Sequence, residues 1–196
     1  EPHEPFYRAY MGGSLFGLYY LWKFTPAGTP ALHPDNTVTF AVSAPTGLPI
    51  SGQSRATATC KSPSSGGVAD SQAGGFWPAE LKFAGFDALV IRGRASTPVY
   101  LWVHDGRAEI RDAAHLWGKT TLVVDRLIKE ELGDKSVEIA QIGPAGEKLA
   151  NFAAVMNMNN RAWGRTGIGA VLGSKQLKAI VVGGNQSGKQ KVTAAE

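Results

Sequence analysis

Apolar positions recur along this chain mainly in short alternating or continuous runs, the signature of strands, and only once in a long helical period. Residues 38–42 (Val-Thr-Phe-Ala-Val) read as a strand broken by Ala44-Pro45-Thr46-Gly47. Residues 53–61 alternate small and polar side chains, with Thr57 and Thr59 on one face, and read as a second strand ended by Ser62-Pro63. The runs 88–92, 99–104 and 108–111 predict a meander, with Asp105-Gly106 as a tight hairpin turn. Residues 137–142, stopped by Gly143-Pro144, residues 149–156 and the apolar run 177–182 complete the strands. Three helices are expected besides a short one that begins at 168–172. Residues 15–24 form a short, wholly buried helix after Gly12-Gly13, limited by Pro26, and residues 79–84 a brief one framed by Pro78 and Gly85. The clearest is 121–132, with Leu122, Val123, Leu127, Ile128 and Leu132 along one face and Gly133 at its end. Residues 25–36 are a proline-rich loop, 66–75 a glycine loop, and the polar stretch 185–196 a mobile tail. The elements sum to a β-rich α+β domain with short helices and one longer amphipathic helix.

The second half of this pattern repeats the first. Residues 38–47 parallel 137–146, and 85–93 parallel 176–184; between the matched ends each half predicts a strand, a glycine loop and a short helix. Two pseudo-repeats, about 38–93 and 137–184, suggest an internal duplication with pseudo-twofold symmetry and the two glycine loops near a shared axis. Strand–turn chemistry recurring by chance is the alternative. A ligand on that axis would be bulky, anionic and itself two-fold.

Composition narrows the classes. The chain has 196 residues, the length of one large domain, and no apolar run approaches the roughly 20 residues that span a bilayer. It opens at Glu1 without a methionine and reads as a fragment. A single cysteine, Cys60, excludes an internal disulfide and any Cys-ligated cluster within these residues, and fits a reducing cytoplasm. It sits on a strand of small residues with no base beside it, so it reads as a buried hydrophobe. His33, His104 and His115 show no metal-ligand spacing. The net charge of +4 is dispersed without a basic stripe, which argues against a nucleic-acid partner and for a small anionic ligand.

The chemistry-bearing stretch is Asn159-Asn160-Arg161-Ala162-Trp163-Gly164-Arg165-Thr166-Gly167-Ile168-Gly169. Its glycines, Gly164 among them, free the backbone to approach a ligand, and Arg161 and Arg165 carry planar forks suited to phosphate oxygens. Residues 168–172 then begin a short apolar helix. The same residues also describe a glycine-rich loop with two solvated arginines, and the stretch alone leaves both readings open.

Gly12-Gly13-Ser14, Cys60-Lys61-Ser62-Pro63, Ala73-Gly74-Gly75-Phe76, Glu80-Leu81-Lys82-Phe83-Ala84-Gly85-Phe86-Asp87, Ile142-Gly143-Pro144-Ala145-Gly146-Glu147 and Arg161-Ala162-Trp163-Gly164-Arg165 follow in this order. Together they resemble the N-terminal domain of the aldehyde ferredoxin oxidoreductases, the tungsten-pterin enzymes, from about residue 10 to 182. The resemblance implies a base of two β-sheets, spanning residues 1–184, on which a tungsten (or molybdenum) bis-pyranopterin rests, its phosphates bridged by magnesium. It implies a first β-hairpin preceding Glu1, and an iron–sulfur cluster held by cysteines of domains downstream. Position by position, Arg55 resembles the arginine between a pterin and the cluster. Gln72 stands where an asparagine reaching the magnesium is common, and is one methylene longer. Gly74 and Gly75 would let the backbone approach the pterin. Arg161 and the carbonyl of Ala162 would hold phosphate and magnesium, with Gly164 and Arg165 beside them. Gln72 and Ala162 are thus the expected metal contacts. Trp163 replaces a small residue, so the loop path changes or the indole packs on a pterin face. The implied activity is oxidation of aldehydes to carboxylic acids with ferredoxin as electron acceptor, in a cytoplasmic enzyme that is no membrane protein and has a homo-oligomer open to it. The fragment alone is expected to be inactive. Alternatives are another substrate within the superfamily, or a stand-alone anion-binding scaffold.

Overall fold

The computed structural model describes residues 4–183; the expected polar tail 185–196 lies outside the described residues. Two helices open the chain, α1 (Glu4–Tyr10) and α2 (Ser14–Phe24). Next come β1 (Val38–Val42), β2 (Arg55–Lys61), β3 (Val68–Gly74), α3 (Trp77–Phe83) and β4 (Ala88–Ile91). The hairpin β5 (Val99–His104) and β6 (Arg107–Asp112) follows, then α4 (Thr121–Leu132). The chain continues through β7 (Glu138–Gln141), α5 (Pro144–Glu147), β8 (Val155–Asn157), β9 (Arg161–Trp163), α6 (Ile168–Ser174) and β10 (Leu177–Val182). Among the described residues no helix is long and apolar enough to cross a membrane.

The strands form two sheets, β3-β2-β1-β4 and β6-β5-β10-β7-β8-β9. Every pairing is antiparallel except β5 with β10. The run β1-β2-β3-α3-β4 and the run β7-β8-β9-α6-β10 therefore share one strand order, with the helix inserted at the same point. The β5–β6 hairpin is added to the second sheet through β10. This corrects the expected meander: β4 belongs to the other sheet from β5 and β6. The hairpin turn itself is as expected, Asp105 and Gly106 both taking positive φ (46° and 73°) between β5 and β6.

Sheet one is covered on both faces, which explains why β1 is buried along its whole length and shows no alternation. Its outer face receives α2. A side chain at Gly17 would begin 2.0 Å from Thr59 Oγ1, so only glycine lets this helix lie so close. The helix is not wholly buried, as its composition suggested: Phe16, Gly17 and Leu21 face the sheet while Trp22 is 75% exposed. The helix α1 had no sequence signal because it buries nothing; it rests Phe6 against Phe16 and Tyr19, with ring centroids 5.1 and 4.8 Å apart.

Three further expectations are corrected. Residues 66–75 are mostly strand β3, whose side chains alternate exposed and buried from Val68 to Ala73; the buried set, Ala69, Ser71 and Ala73, is too small to register as hydrophobic. Residues 149–156 do not form one strand, because Leu149 takes a positive φ of 60° after α5 and pairing begins only at Val155. Helix α4 buries Val124 and Ile128 and leaves Leu122 exposed, with Gly133 capping it at φ 64° as expected.

Between the sheets lies the main core, centred on Phe40, Trp77 and Trp163. The two indoles meet edge to face at 5.3 Å, and Trp163 meets Phe40 in the same way. Each indole N–H donates across the seam: Trp77 Nε1 to Ile180 O at 3.1 Å, and Trp163 Nε1 to Ala56 O at 2.9 Å. This corrects the suggestion that Trp163 packs on a ligand, since it is fully buried.

Lys175 closes one end of the core. It is 2% exposed, its ammonium donating to Pro34 O (2.7 Å) and Gly93 O (2.9 Å), and burial pushes its pKa down to about 8. Below that pH the folded protein holds a charge that burial penalises. Between about pH 8 and the ordinary lysine value the unfolded chain binds more protons than the folded one, so this group's contribution to stability grows with pH. Relative to Lys175→Met, the wild type should gain up to about 1.4 kcal/mol per pH unit across that window, read by urea denaturation. A constant difference from pH 7 to 10 would contradict a depressed pKa.

Candidate functional site

The seam between the sheets opens at one end into a cleft of about 560 Å³. Its first wall is the paired ends of β2 and β3, where Arg55 lies opposite Gly74 and Thr57 opposite Gln72. Its second wall is the start of β9. The β8–β9 turn delivers it: Met158 and Asn159 take positive φ (50° and 56°), and Asn160 N–H donates to Asn157 O at 3.3 Å. The strands β3 and β9, which hold equivalent places in their two sheets, pack against each other.

Arg55, Gln72, Gly74, Gly75, Arg161 and Ala162 all line this one cleft. Gly164 and Arg165 do not. Arg165 N–H reaches Ser71 Oγ at 3.5 Å, and the chain then turns at Thr166 and Gly167 (φ 72° and 76°) into α6. A side chain at Gly167 would begin 2.0 Å from Asn151 O, and one at Gly173 2.0 Å from Gly146 O, so these later glycines serve backbone packing. The phosphate-suited part of the stretch is its beginning.

Several lining groups carried no sequence signal. Gln53 shapes the 47–53 wall, its Oε1 accepting Gly47 N–H (3.0 Å) and its Nε2 donating to Leu48 O (2.6 Å). Ser54 Oγ donates to Gly75 O at 2.6 Å and fixes the peptide after the strand. Gly75 has φ 110°, and a side chain there would begin 2.7 Å from Met158 Sδ and 2.8 Å from Asn157 Oδ1. The backbone at this point is therefore bare by necessity, because Met158 and Asn157 fill the space a side chain would take. Below it Asn157 is fully buried, its Nδ2 near Gly74 O (3.4 Å) and its Oδ1 with no hydrogen-bond partner. Phe76 N–H meets Met158 Sδ at 3.2 Å, tying the β8–β9 turn to the start of α3.

Electrostatically the cleft presents two guanidiniums and no carboxylate among its lining residues. Its other polar groups are amide, hydroxyl and peptide groups, the hard neutral oxygens that suit magnesium. Among the described residues no three His, Cys, Asp or Glu side chains gather into a possible metal site. A cation here would rest on neutral oxygens and on its own anionic ligand. Two arginines with no carboxylate beside them, next to glycine backbone, fit an anionic, phosphate-bearing group. Cys60, by contrast, is fully buried, and burial pushes its thiol up to about 12, so it is no nucleophile.

Comparison with known proteins agrees with this architecture. The family model for the aldehyde ferredoxin oxidoreductase N-terminal domain matches residues 1–184. A tungsten-containing aldehyde ferredoxin oxidoreductase of Pyrococcus abyssi is 47% identical over 94% of this chain and 30% of its own length. One from Thermococcus kodakarensis is 42% identical over 95% of this chain and 31% of its own length. The WOR-like subunit of an aliphatic sulfonate oxidoreductase from Pyrococcus furiosus is 33% identical over 94% of this chain and 32% of its own. Among solved structures, the active-site complex BamBC of benzoyl coenzyme A reductase, in complex with 1,5 dienoyl-CoA, superposes with a TM-score of 0.90. That match has 36% identity and covers 94% of this chain and 28% of the other. The chain thus spans about 30% of the curated relatives it matches. On this match, the chain belongs to the aldehyde ferredoxin oxidoreductase family and corresponds to its N-terminal domain.

Proposed function

We propose that this domain is the cofactor-cradling base of a tungsten (or molybdenum) bis-pyranopterin oxidoreductase. The observation that carries this reading is the convergence of Arg55, Gln72, Gly74, Gly75, Arg161 and Ala162 on one acid-free cleft. When bound, the cofactor would supply two-electron oxidation of an aldehyde and water to a carboxylic acid and two protons. The electrons would pass through an iron–sulfur cluster of downstream domains to ferredoxin, in the cytoplasm.

In this reading Arg161 offsets phosphate charge from the β9 wall, and Arg55 faces it from β2. Both stay protonated throughout, so they orient and neutralise without exchanging protons with the reaction. The amide oxygen of Gln72 and the peptide oxygen of Ala162 serve magnesium without adding charge. Gly74 and Gly75 admit the ligand to the main chain. The shared strand order of the two runs supports reading them as a duplication, with β3 and β9 meeting beside the pseudo-twofold axis.

A second reading keeps the cradle and changes the substrate. It is favoured by relatives whose names specify aldehyde in one case and aliphatic sulfonate in another over this same domain. The cleft described here then determines the cofactor and leaves the substrate to other parts of the enzyme.

Full-length protein purified without oxygen should contain tungsten or molybdenum by elemental analysis. A folded preparation free of both metals would remove the cradle reading. In the same protein Arg161→Ala should lower pterin and metal affinity by about 10- to 100-fold, and their content with it, the loss expected when one charge-assisted phosphate contact of about 1.5–3 kcal/mol is removed. Undiminished content would take Arg161 out of the site.

A further inference from the structure

We infer that Ser54 is a positioning residue of the cleft: its hydroxyl sets the Gly74-Gly75 backbone in advance for an anionic, phosphate-bearing ligand. This rests on the cofactor-cradle reading and adds to it the group that organises the glycine wall. The β2–β3 ladder ends where Arg55 lies opposite Gly74, and Arg55 N–H turns back to Gln53 O at 2.9 Å. One residue further out a side chain takes over from the ladder: Ser54 Oγ donates to Gly75 O at 2.6 Å. The same peptide is held at its other end, where Phe76 N–H meets Met158 Sδ at 3.2 Å. A thioether is a weak acceptor, so the hydroxyl supplies the firmer hold. Ser54 and Gly75 both line the cleft, so the bonded groups belong to the surface a ligand meets.

Two glycines in succession are the most mobile backbone a chain can offer, and freedom lost when a ligand binds lowers its affinity. A flip of the Gly75–Phe76 peptide meets little resistance at a glycine. Ser54 opposes that flip, and does so from the position next to Arg55, so one short segment sets both the guanidinium and the glycine wall. The bond also occupies a peptide oxygen, whose partial negative charge is unwelcome in a cleft of two guanidiniums and no carboxylate. Ser54 carries no charge. Its part is geometric, while Arg55 and Arg161 supply the attraction.

The test uses full-length protein made in a host that supplies no pterin, titrated with inorganic pyrophosphate and magnesium by calorimetry. Ser54→Ala should bind about three- to tenfold more weakly than wild type, the effect of losing one neutral hydrogen bond. Ser54→Thr, which keeps the hydroxyl, should restore the affinity. Amide exchange at Phe76 should quicken in Ser54→Ala and return to the wild-type rate in Ser54→Thr. With no charge removed, the salt dependence of binding should stay as in wild type for Ser54→Ala and flatten for Arg161→Ala. Should Ser54→Ala fail to fold, Ser54→Gly removes the same hydroxyl. Unchanged pyrophosphate affinity in the hydroxyl-free variant overturns the positioning role and leaves the cradle reading standing. Weakened binding with Phe76 exchange unmoved overturns it too, since Ser54 would then act by direct contact. A wild type that binds no pyrophosphate overturns the cradle reading and this inference with it.

Discussion

Trp163→Ala should destabilise the domain by about 3–5 kcal/mol, the cost of emptying a fully buried aromatic site. Three losses coincide there. Phe40 and Trp77 lose the ring each meets edge to face, at 5.3 Å in both cases. The Ala56 carbonyl loses its indole donor and is left buried in the middle of the four-stranded sheet. The cavity opens where the two sheets touch, so neither sheet can relax into it without moving the other. Trp163→Phe separates the terms: it keeps most of the ring packing and deletes the N–H, and should cost about 1–2 kcal/mol. Equilibrium urea unfolding followed by far-UV circular dichroism gives both numbers. A Trp163→Ala value within about 0.5 kcal/mol of wild type would sink the claim that the indoles lock the two sheets. The consequence reaches the cleft, because Trp163 ends the same short strand that Arg161 begins. A slackened seam should therefore weaken ligand binding even though Trp163 touches no ligand.

The second large effect is expected at Lys178, on β10. Its side chain is wholly buried; the ammonium pairs with the Glu147 carboxylate and donates to Lys119 O at 3.0 Å. The second Glu147 oxygen accepts Gly118 N–H at 2.8 Å. One ion pair thus pins the segment leading into α4 against α5. Burial pulls the Lys178 pKa down, and the bond to Glu147 opposes that pull. Lys178→Met leaves the carboxylate buried without a counter-charge and should cost about 3–5 kcal/mol. Adding Glu147→Gln should recover much of this, since a neutral amide needs no cation. Amide exchange at Gly118 provides the local readout, and should accelerate in Lys178→Met more than at β1. If Lys178→Met is as stable as the double variant, the pair is not what holds the segment.

Much of the frame was legible in the sequence, and for local reasons. The strands at residues 38–42 and 177–182 are apolar enough to be read from composition. The turn at Asp105-Gly106 and the cap at Gly133 depend on φ values that their own residue types favour. The cleft was legible as a set of residues through the resemblance of ordered motifs. What failed was whatever lacked a local signature. The strand β3 hid because it buries only Ala69, Ser71 and Ala73, and helix α1 because it buries nothing. Asn157 and Met158 carried no motif; their roles come from what a side chain at Gly75 would strike across the seam.

By itself the sequence determined most of the elements, though not α1 or β3, together with the family resemblance and the chemical character of the cleft: arginines, glycines and neutral oxygens. Those follow from residue types and near-neighbour spacing. Only the tertiary structure decided that the strands divide between two sheets, that β4 and the β5–β6 hairpin part company, and that Trp163 turns inward. It also decided that the start of the stretch from Asn159 faces the cleft while its later glycines serve packing. The physical reason is the same throughout. Sheet partition and burial depend on contacts between residues about a hundred positions apart, such as Trp77 with Ile180 and Trp163 with Ala56, and no local periodicity encodes which distant partner wins.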